Sequence, residues 1–198
     1  MKSALILVDI QNDFLPGGAL AVPNGDEVIA VANAASGFDL IIATQDWHPS
    51  DHLSFALQHP GKMPGDMVSL EGLPQVLWPV HCVKGSRGAQ FAETLDMERV
   101  TKVFNKGTDR SIDSYSGFFD NGKKKATGLG EYLEAEGVDR VTVLGLATDY
   151  CVKATAIDAL ELGFATTLIA SGCRAVDLAK GDGEKAIAEM RKRGITIA

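Results

Sequence analysis

A chain of 198 residues in which 45% are hydrophobic and 23% charged can bury a sizeable core and does not have the composition of a disordered or fibrous protein. Its formal charge of -7, from 26 acidic against 19 basic residues, argues against a nucleic-acid partner, which needs clustered Lys and Arg; the single basic run, Gly122 to Lys125, has no interleaved aromatics and reads as a solvated loop. The apolar stretch from Ala4 is halted at Asp9, too short for a secretory signal or a membrane span, and the three cysteines Cys82, Cys151 and Cys173 cannot all pair with one another, so a reducing cytoplasm is the expected setting.

In chain order, apolar and β-branched runs predict strands over residues 4–10 ("ALILVDI"), 39–45 ("DLIIATQ"), 99–105 ("RVTKVFN"), 140–146 ("RVTVLGL"), 165–171 ("ATTLIAS") and 195–198 ("ITIA"). Several are apolar on both faces, as a parallel strand covered by helices requires. Between them, "GDEVIAVANAASG", "GLGEYLEAEG", "DYCVKATAIDALELG" and "GEKAIAEMRKRG" space apolar residues three and four apart and end at glycine, so each predicts a helix. This alternation predicts a doubly wound α/β fold. With no internal repeat and no linker, one domain over residues 1–198 is expected. The stretch from about 47 to 88, rich in Pro, Gly and His and without a sustained period, reads as a functional insertion, a lid or binding segment.

In open α/β sheets ligands bind beyond the carboxyl ends of the strands. Three reactive side chains fall there: Asp9, Lys106 and Cys151. A cysteine at the first turn of a helix, near a lysine, has its pKa lowered and favours the thiolate, and Asp9 could take the thiol proton and return it to a leaving group. Each has a bland alternative: a buried structural thiol for Cys151, an exposed lysine before a turn for Lys106. Asp9 is harder to dismiss, because a carboxylate at the end of a central apolar strand must be paired or functional.

A second cluster combines "QDWHPSDHLSF" with "WPVHC" and holds three of the four histidines. Asp46 and His48 are two apart, on one side of an extended segment; His48 and His52 are four apart. With His81, these are ligand types for a borderline divalent ion, unless they are merely surface residues of a loop.

Taken together, "LVDIQNDF" with "PGGAL", "TQDWHPSDHLSF", "WPVHCVKGS", "FNKG" followed by "YSGF", and "LGLATDYCVKATAIDA" resemble the nicotinamidases of the isochorismatase-like cysteine hydrolases, in a combination and order that is very specific. The resemblance runs from residue 5 to about 159. It implies a six-stranded, mostly parallel sheet with helices on both faces, a Rossmann-like three-layer arrangement, and the hydrolysis of nicotinamide to nicotinate and ammonia in NAD salvage, with pyrazinamide as a side substrate. The family's triad falls on Asp9, Lys106 and Cys151, and its metal ligands on Asp46, His48, His52 and His81. The implied ion is one divalent metal, zinc first, with iron or manganese as alternatives. Its task would be to orient the pyridine ring, and its shell would be a source of hydrolytic water.

The implied oxyanion hole is made by the N–H groups of Ala147 and Cys151, with a cis peptide before Ala147. The implied aromatic pocket is walled by Phe14, Trp78 and Tyr115, with core packing as the alternative for each. Tyr150 stands where some relatives carry histidine, so it too borders the pocket. Expected partners are a small aromatic amide, with neither nucleic acid nor membrane, and a homo-oligomer is allowed. Cys82 and Cys173 are read as buried structural thiols, and residues 59–77 match nothing in the family residue by residue. Two rivals remain: another cysteine amidase of the superfamily acting on a carbamoyl or ureido compound, and a non-catalytic binding module with an unreactive Cys151.

Overall fold

The computed structural model describes residues 1–198. Six of the predicted runs form one sheet: β1 (Lys2–Val8), β2 (Leu40–Asp46), β5 (Lys102–Lys106), β6 (Val138–Leu146), β7 (Ala165–Arg174) and β8 (Thr196–Ile197), in the order β5-β2-β1-β6-β7-β8. Every pairing in it is parallel. The central β1 is buried on both faces from Ala4 to Val8, and each Leu or Ile so placed contributes about 1.5–3 kcal/mol.

Four helices make the crossovers, α1 (Glu27–Ala34), α2 (Leu129–Ala135), α3 (Lys153–Glu161) and α4 (Asp182–Arg193). From β1 the chain first steps outward through α1 to β2. It later returns to the other side of β1 and steps outward again, from β6 through α3 to β7 and through α4 to β8. Right-handed crossovers place helices made in opposite directions on opposite faces, which gives three layers. The direction changes between β1 and β6, and the crevice outside their carboxyl ends is where such folds bind ligands.

Boundaries shift from the sequence expectation for identifiable reasons. β1 stops at Val8, not at Ile10, because Asp9 takes a left-handed conformation with φ 48. Residues 97–99 coil into a 3₁₀ turn, so β5 begins at Lys102. β7 extends to Arg174 across a register shift, with Val143 opposite Leu168 but Gly145 opposite Cys173. Ahead of α3, residues 148–152 form a π-helical turn.

The stretch from 47 to 88 is more ordered than its aperiodicity implies. It contains an antiparallel hairpin, β3 (Met67–Leu70) and β4 (Leu73–Val76), closed by Glu71 and Gly72 at φ 50 and 81. Positive φ at both central residues is what a two-residue type I′ turn requires. Only Leu70 and Gln75 of this ribbon are buried, too few to produce a readable alternation.

Candidate active site

Asp9 follows β1, Lys106 closes β5 and Cys151 sits in the π-helical turn between β6 and α3. The carboxyl ends of three strands thus bring the predicted triad together. Lys106, which might have been a surface lysine by sequence, is 2% exposed, and its ammonium is the hub. Nζ donates to Asp46 Oδ1 at 2.5 Å, to the Ser114 carbonyl at 2.8 Å and to Cys151 Sγ at 3.4 Å. It also lies 2.9 Å from Asp9 Oδ2, an ion pair by distance although that oxygen accepts no aligned hydrogen bond. Asp9 Oδ1, in contrast, accepts from the Thr44 hydroxyl at 2.7 Å. One oxygen of Asp9 is fixed and the other keeps a lone pair within the cluster, where ligand atoms of Asp9, Asp46 and Cys151 all lie within 4.8 Å of one another.

Burial sets the resting protonation states. It pushes the Cys151 thiol well above its ordinary range, and the pull of Lys106 in the other direction does not outweigh it. The thiolate expected from a helix start and a nearby lysine is therefore not the resting form, and a base is needed. Burial likewise raises Asp9 to about 6 against the opposing charge of Lys106. For Lys106 burial acts downward, but Asp46 and Asp9 prevail and hold the ammonium protonated. Asp46 is the reverse case: burial acts upward, yet Lys106 and His48 keep its carboxylate well below the usual range.

Beside this cluster opens a small, tight cavity, whose empty space is about 380 Å³ when open solvent at its mouth is included. Phe14, Trp78, Tyr115 and Tyr150 all line it, together with Ala147 and Cys151. Trp78 and Tyr150 meet edge to face at 4.8 Å, and Tyr115 and Tyr150 at 5.4 Å. The Tyr115 hydroxyl accepts from Gln75 Nε2 at 2.9 Å and from Trp78 Nε1 at 3.3 Å, so the buried hairpin residue Gln75 ties the β3–β4 ribbon to the pocket wall. The Leu146–Ala147 peptide is cis, and the N–H groups of Tyr150 and Val152 both donate to the Ala147 carbonyl at 3.1 Å.

Leu20, Val176 and Asp113 also line the cavity and were not anticipated. Asp113 is buried, accepting from Ser114 N at 2.8 Å and from Gln75 Nε2 at 3.1 Å. Its signal was an acid two residues before Tyr115, hence on the same side of an extended segment.

The predicted metal ligands are all buried. His48 Nδ1 and His81 Nδ1 each lie 2.8 Å from a backbone carbonyl, of Gly107 and Pro79. Each must donate there, which in the neutral ring leaves Nε2 with a free lone pair. Those Nε2 atoms are 3.6 and 3.9 Å from Asp46 Oδ2, too far to hydrogen-bond but near the roughly 3.4 Å between ligands that share one tetrahedral ion at bonds of about 2.1 Å. His52 Nε2 is buried with no partner, while its Nδ1 meets the Ser54 hydroxyl at 2.7 Å. The donor atoms fall into two overlapping groups, Asp46 with His48 and His81, and His48 with His52 and Asp113, each within 4.8 Å. The residues thus fit a divalent ion, with His52 set beyond His48. Gly107 makes room: a Cβ there would stand 2.3 Å from the His48 ring. Burial, followed by the proximity of His48, lowers His81 to about 4, leaving it neutral and competent to ligate.

This fold and this crevice define a class. The chain belongs to the isochorismatase domain family, whose pattern matches residues 3–198. It is 48% identical to the nicotinamidase of Escherichia coli (strain K12), over 98% of this chain and 93% of that one. Among solved structures, an Acinetobacter baumanii nicotinamidase pyrazinamidase superposes with a TM-score of 0.95 at 43% identity, covering 99% of this chain and 95% of the other. The pyrazinamidase of Pyrococcus horikoshii in complex with zinc superposes with a TM-score of 0.78 at 38% identity, over 100% and 99%.

Proposed function

We propose that this chain is a nicotinamidase, an amidohydrolase that converts nicotinamide to nicotinate and ammonia through a thioester on Cys151, with pyrazinamide as a second substrate. The observation that carries the reading is the buried contact of Lys106 Nζ with Cys151 Sγ, Asp9 and Asp46 at the edge of a cavity walled by Phe14, Trp78, Tyr115 and Tyr150. Near-full-length likeness to a nicotinamidase supports the substrate.

Asp9 Oδ2 takes the thiol proton as Sγ attacks the amide carbonyl, and the N–H groups of Ala147 and Cys151 stabilise the oxyanion. The C–N bond then breaks, Asp9 gives the proton to departing ammonia, and a nicotinoyl thioester remains. Water deprotonated by Asp9 adds to the thioester, and its collapse yields nicotinate and returns the thiol. Lys106 keeps its positive charge throughout and offsets whichever of Asp9 and Cys151 is anionic. A divalent ion, zinc foremost, held by Asp46, His48 and His81 with His52 alongside, would offer a ligand position to the pyridine nitrogen and so orient the ring. Three free, buried cysteines suit a reducing cytoplasm, the setting of NAD salvage.

The direct test is ammonia release from nicotinamide by purified protein with and without a chelator. Release that falls on chelation and returns with added zinc is the expected result; no release by metal-replete protein overturns the assignment. The pH dependence is a further prediction. Asp9 acts as a base only when ionised, so with its pKa raised to about 6 the free enzyme loses kcat/KM about tenfold per pH unit below that value. The profile is to be measured with metal content assayed at each pH. A flat profile between about pH 7 and 5 at constant metal content rules Asp9 out as the base.

A further inference from the structure

β1 and β2 pair in register as far as Val8 opposite Thr44, where the pairing ends. The left-handed turn at Asp9, which delivers its carboxylate to Lys106, also carries the chain away from the sheet. β2 continues for two more residues, and Asp46 stays in register with Lys106 of β5 on its other side. The N–H and C=O of Asp46 point toward the side that β1 has left. Buried peptide groups there would lack partners, and a buried peptide group without a partner is destabilising.

A side chain takes the place of the missing strand. Gln11 Oε1 accepts from Asp46 N at 2.8 Å, and Gln11 Nε2 donates to the Asp46 carbonyl at 2.9 Å and to the Ala89 carbonyl at 2.8 Å. Gln11 is fully buried. Both amide hydrogens and the amide oxygen are used, so only a carboxamide matches the three bonds, and asparagine is one methylene shorter. The peptide held in this way carries the carboxylate that has one oxygen 2.5 Å from Lys106 Nζ and the other facing the Nε2 atoms of His48 and His81.

We infer that Gln11 is a positioning residue: its carboxamide substitutes for the next rung of β1 and fixes the Asp46 backbone, so that one carboxylate serves Lys106 and a divalent ion together. The inference rests on the reading of Asp46, His48 and His81 as metal ligands. It adds a requirement that the ligand set alone does not state, namely that geometry at the ion depends on a side chain that never touches it. Groups that hold a ligand in place are worth about 10- to 100-fold in metal affinity.

The test compares wild type with Gln11→Met, which keeps volume and loses all three bonds, and Gln11→Glu, which keeps the acceptor for Asp46 N–H and loses the donors. Met190→Ala, a cavity variant of the buried helix residue Met190, controls for general loss of stability. Zinc affinity is measured by competition with a chromophoric chelator, well below the Tm of each protein, and the visible spectrum of the cobalt-loaded form reports ligand geometry. Expected are about 10- to 100-fold weaker zinc binding and an altered cobalt spectrum in both Gln11 variants, with Met190→Ala like wild type in both despite a lower Tm. Wild-type affinity and spectrum in either folded Gln11 variant overturn the inference while the metal reading stands. If neither variant folds, Gln11 is a determinant of the fold and the inference is likewise overturned. A wild type that binds neither ion removes the metal reading, and the inference with it.

Discussion

Cys151→Ala loses at least about 10⁴-fold in kcat for nicotinamide and still binds nicotinamide with an affinity close to that of wild type. The split follows from where the two tasks lie. In the proposed mechanism Sγ supplies the electron pair for acylation, and nothing else in contact with Lys106 Nζ could replace it: Asp46 is engaged as a counter-ion, Ser114 presents a carbonyl, and Asp9 would serve as the base. The ring, on the proposed reading, is received by Phe14, Trp78, Tyr115 and Tyr150, which line the cavity and which the substitution leaves alone. Alanine also removes a buried, uncharged thiol, so no unpaired charge is created and folding is little disturbed. Single-turnover assays with titration calorimetry on the same protein separate the two quantities. Turnover within about 100-fold of wild type would mean that the thioester route is wrong, because loss of a nucleophile does not leave so much activity behind.

How far this arrangement was readable in the sequence differs from residue to residue. The strands announced themselves because a parallel strand covered on both faces must be apolar throughout, as Ala4 to Val8 are. The convergence of Asp9, Lys106 and Cys151 followed from placement, since all three lie at or just beyond the carboxyl ends of strands that border one crevice. The burial of Lys106 was not readable: an isolated lysine before a glycine gives no hint that two carboxylates will draw it inside. Nor was the resting state of Cys151, because burial depends on the whole tertiary environment and here outweighs the local helix field and the lysine. The β3–β4 hairpin stayed hidden because its strands bury only Leu70 and Gln75, leaving only Glu71-Gly72 to mark the turn. Gln11 and Asp113 went unnoticed for a related reason. Their significance lies in bonds to the backbone of Asp46 and to the Gln75 side chain, and polar contacts between distant segments have no sequence period.

The sharpest test of why a candidate metal site adjoins Cys151 compares nicotinamide with benzamide, which has the same outline and no ring nitrogen. His81 faces both functions, since it lines the cavity and its Nε2 is 3.9 Å from Asp46 Oδ2. If the ring nitrogen is anchored at the site that His81 helps to build, benzamide loses the one polar contact that fixes its rotation, and its carbonyl is no longer delivered to Cys151. Loss of a strong polar anchor from a site built around it costs on the order of 10⁴-fold in kcat/KM, whereas a mismatch of shape alone in an apolar slot costs roughly 10- to 200-fold. Wild type should therefore prefer nicotinamide by the larger kind of factor. His81→Ala should weaken nicotinamide hydrolysis far more than benzamide hydrolysis, so that the preference collapses toward the smaller range. Two substrates measured with two proteins form a cycle in which general damage to the site cancels, provided that metal occupancy is determined in each. Equal slowing of both substrates by His81→Ala would show that His81 and its ion support the structure without reading the ring, and substrate choice would then rest on the walls formed by Phe14, Trp78 and Tyr115 alone.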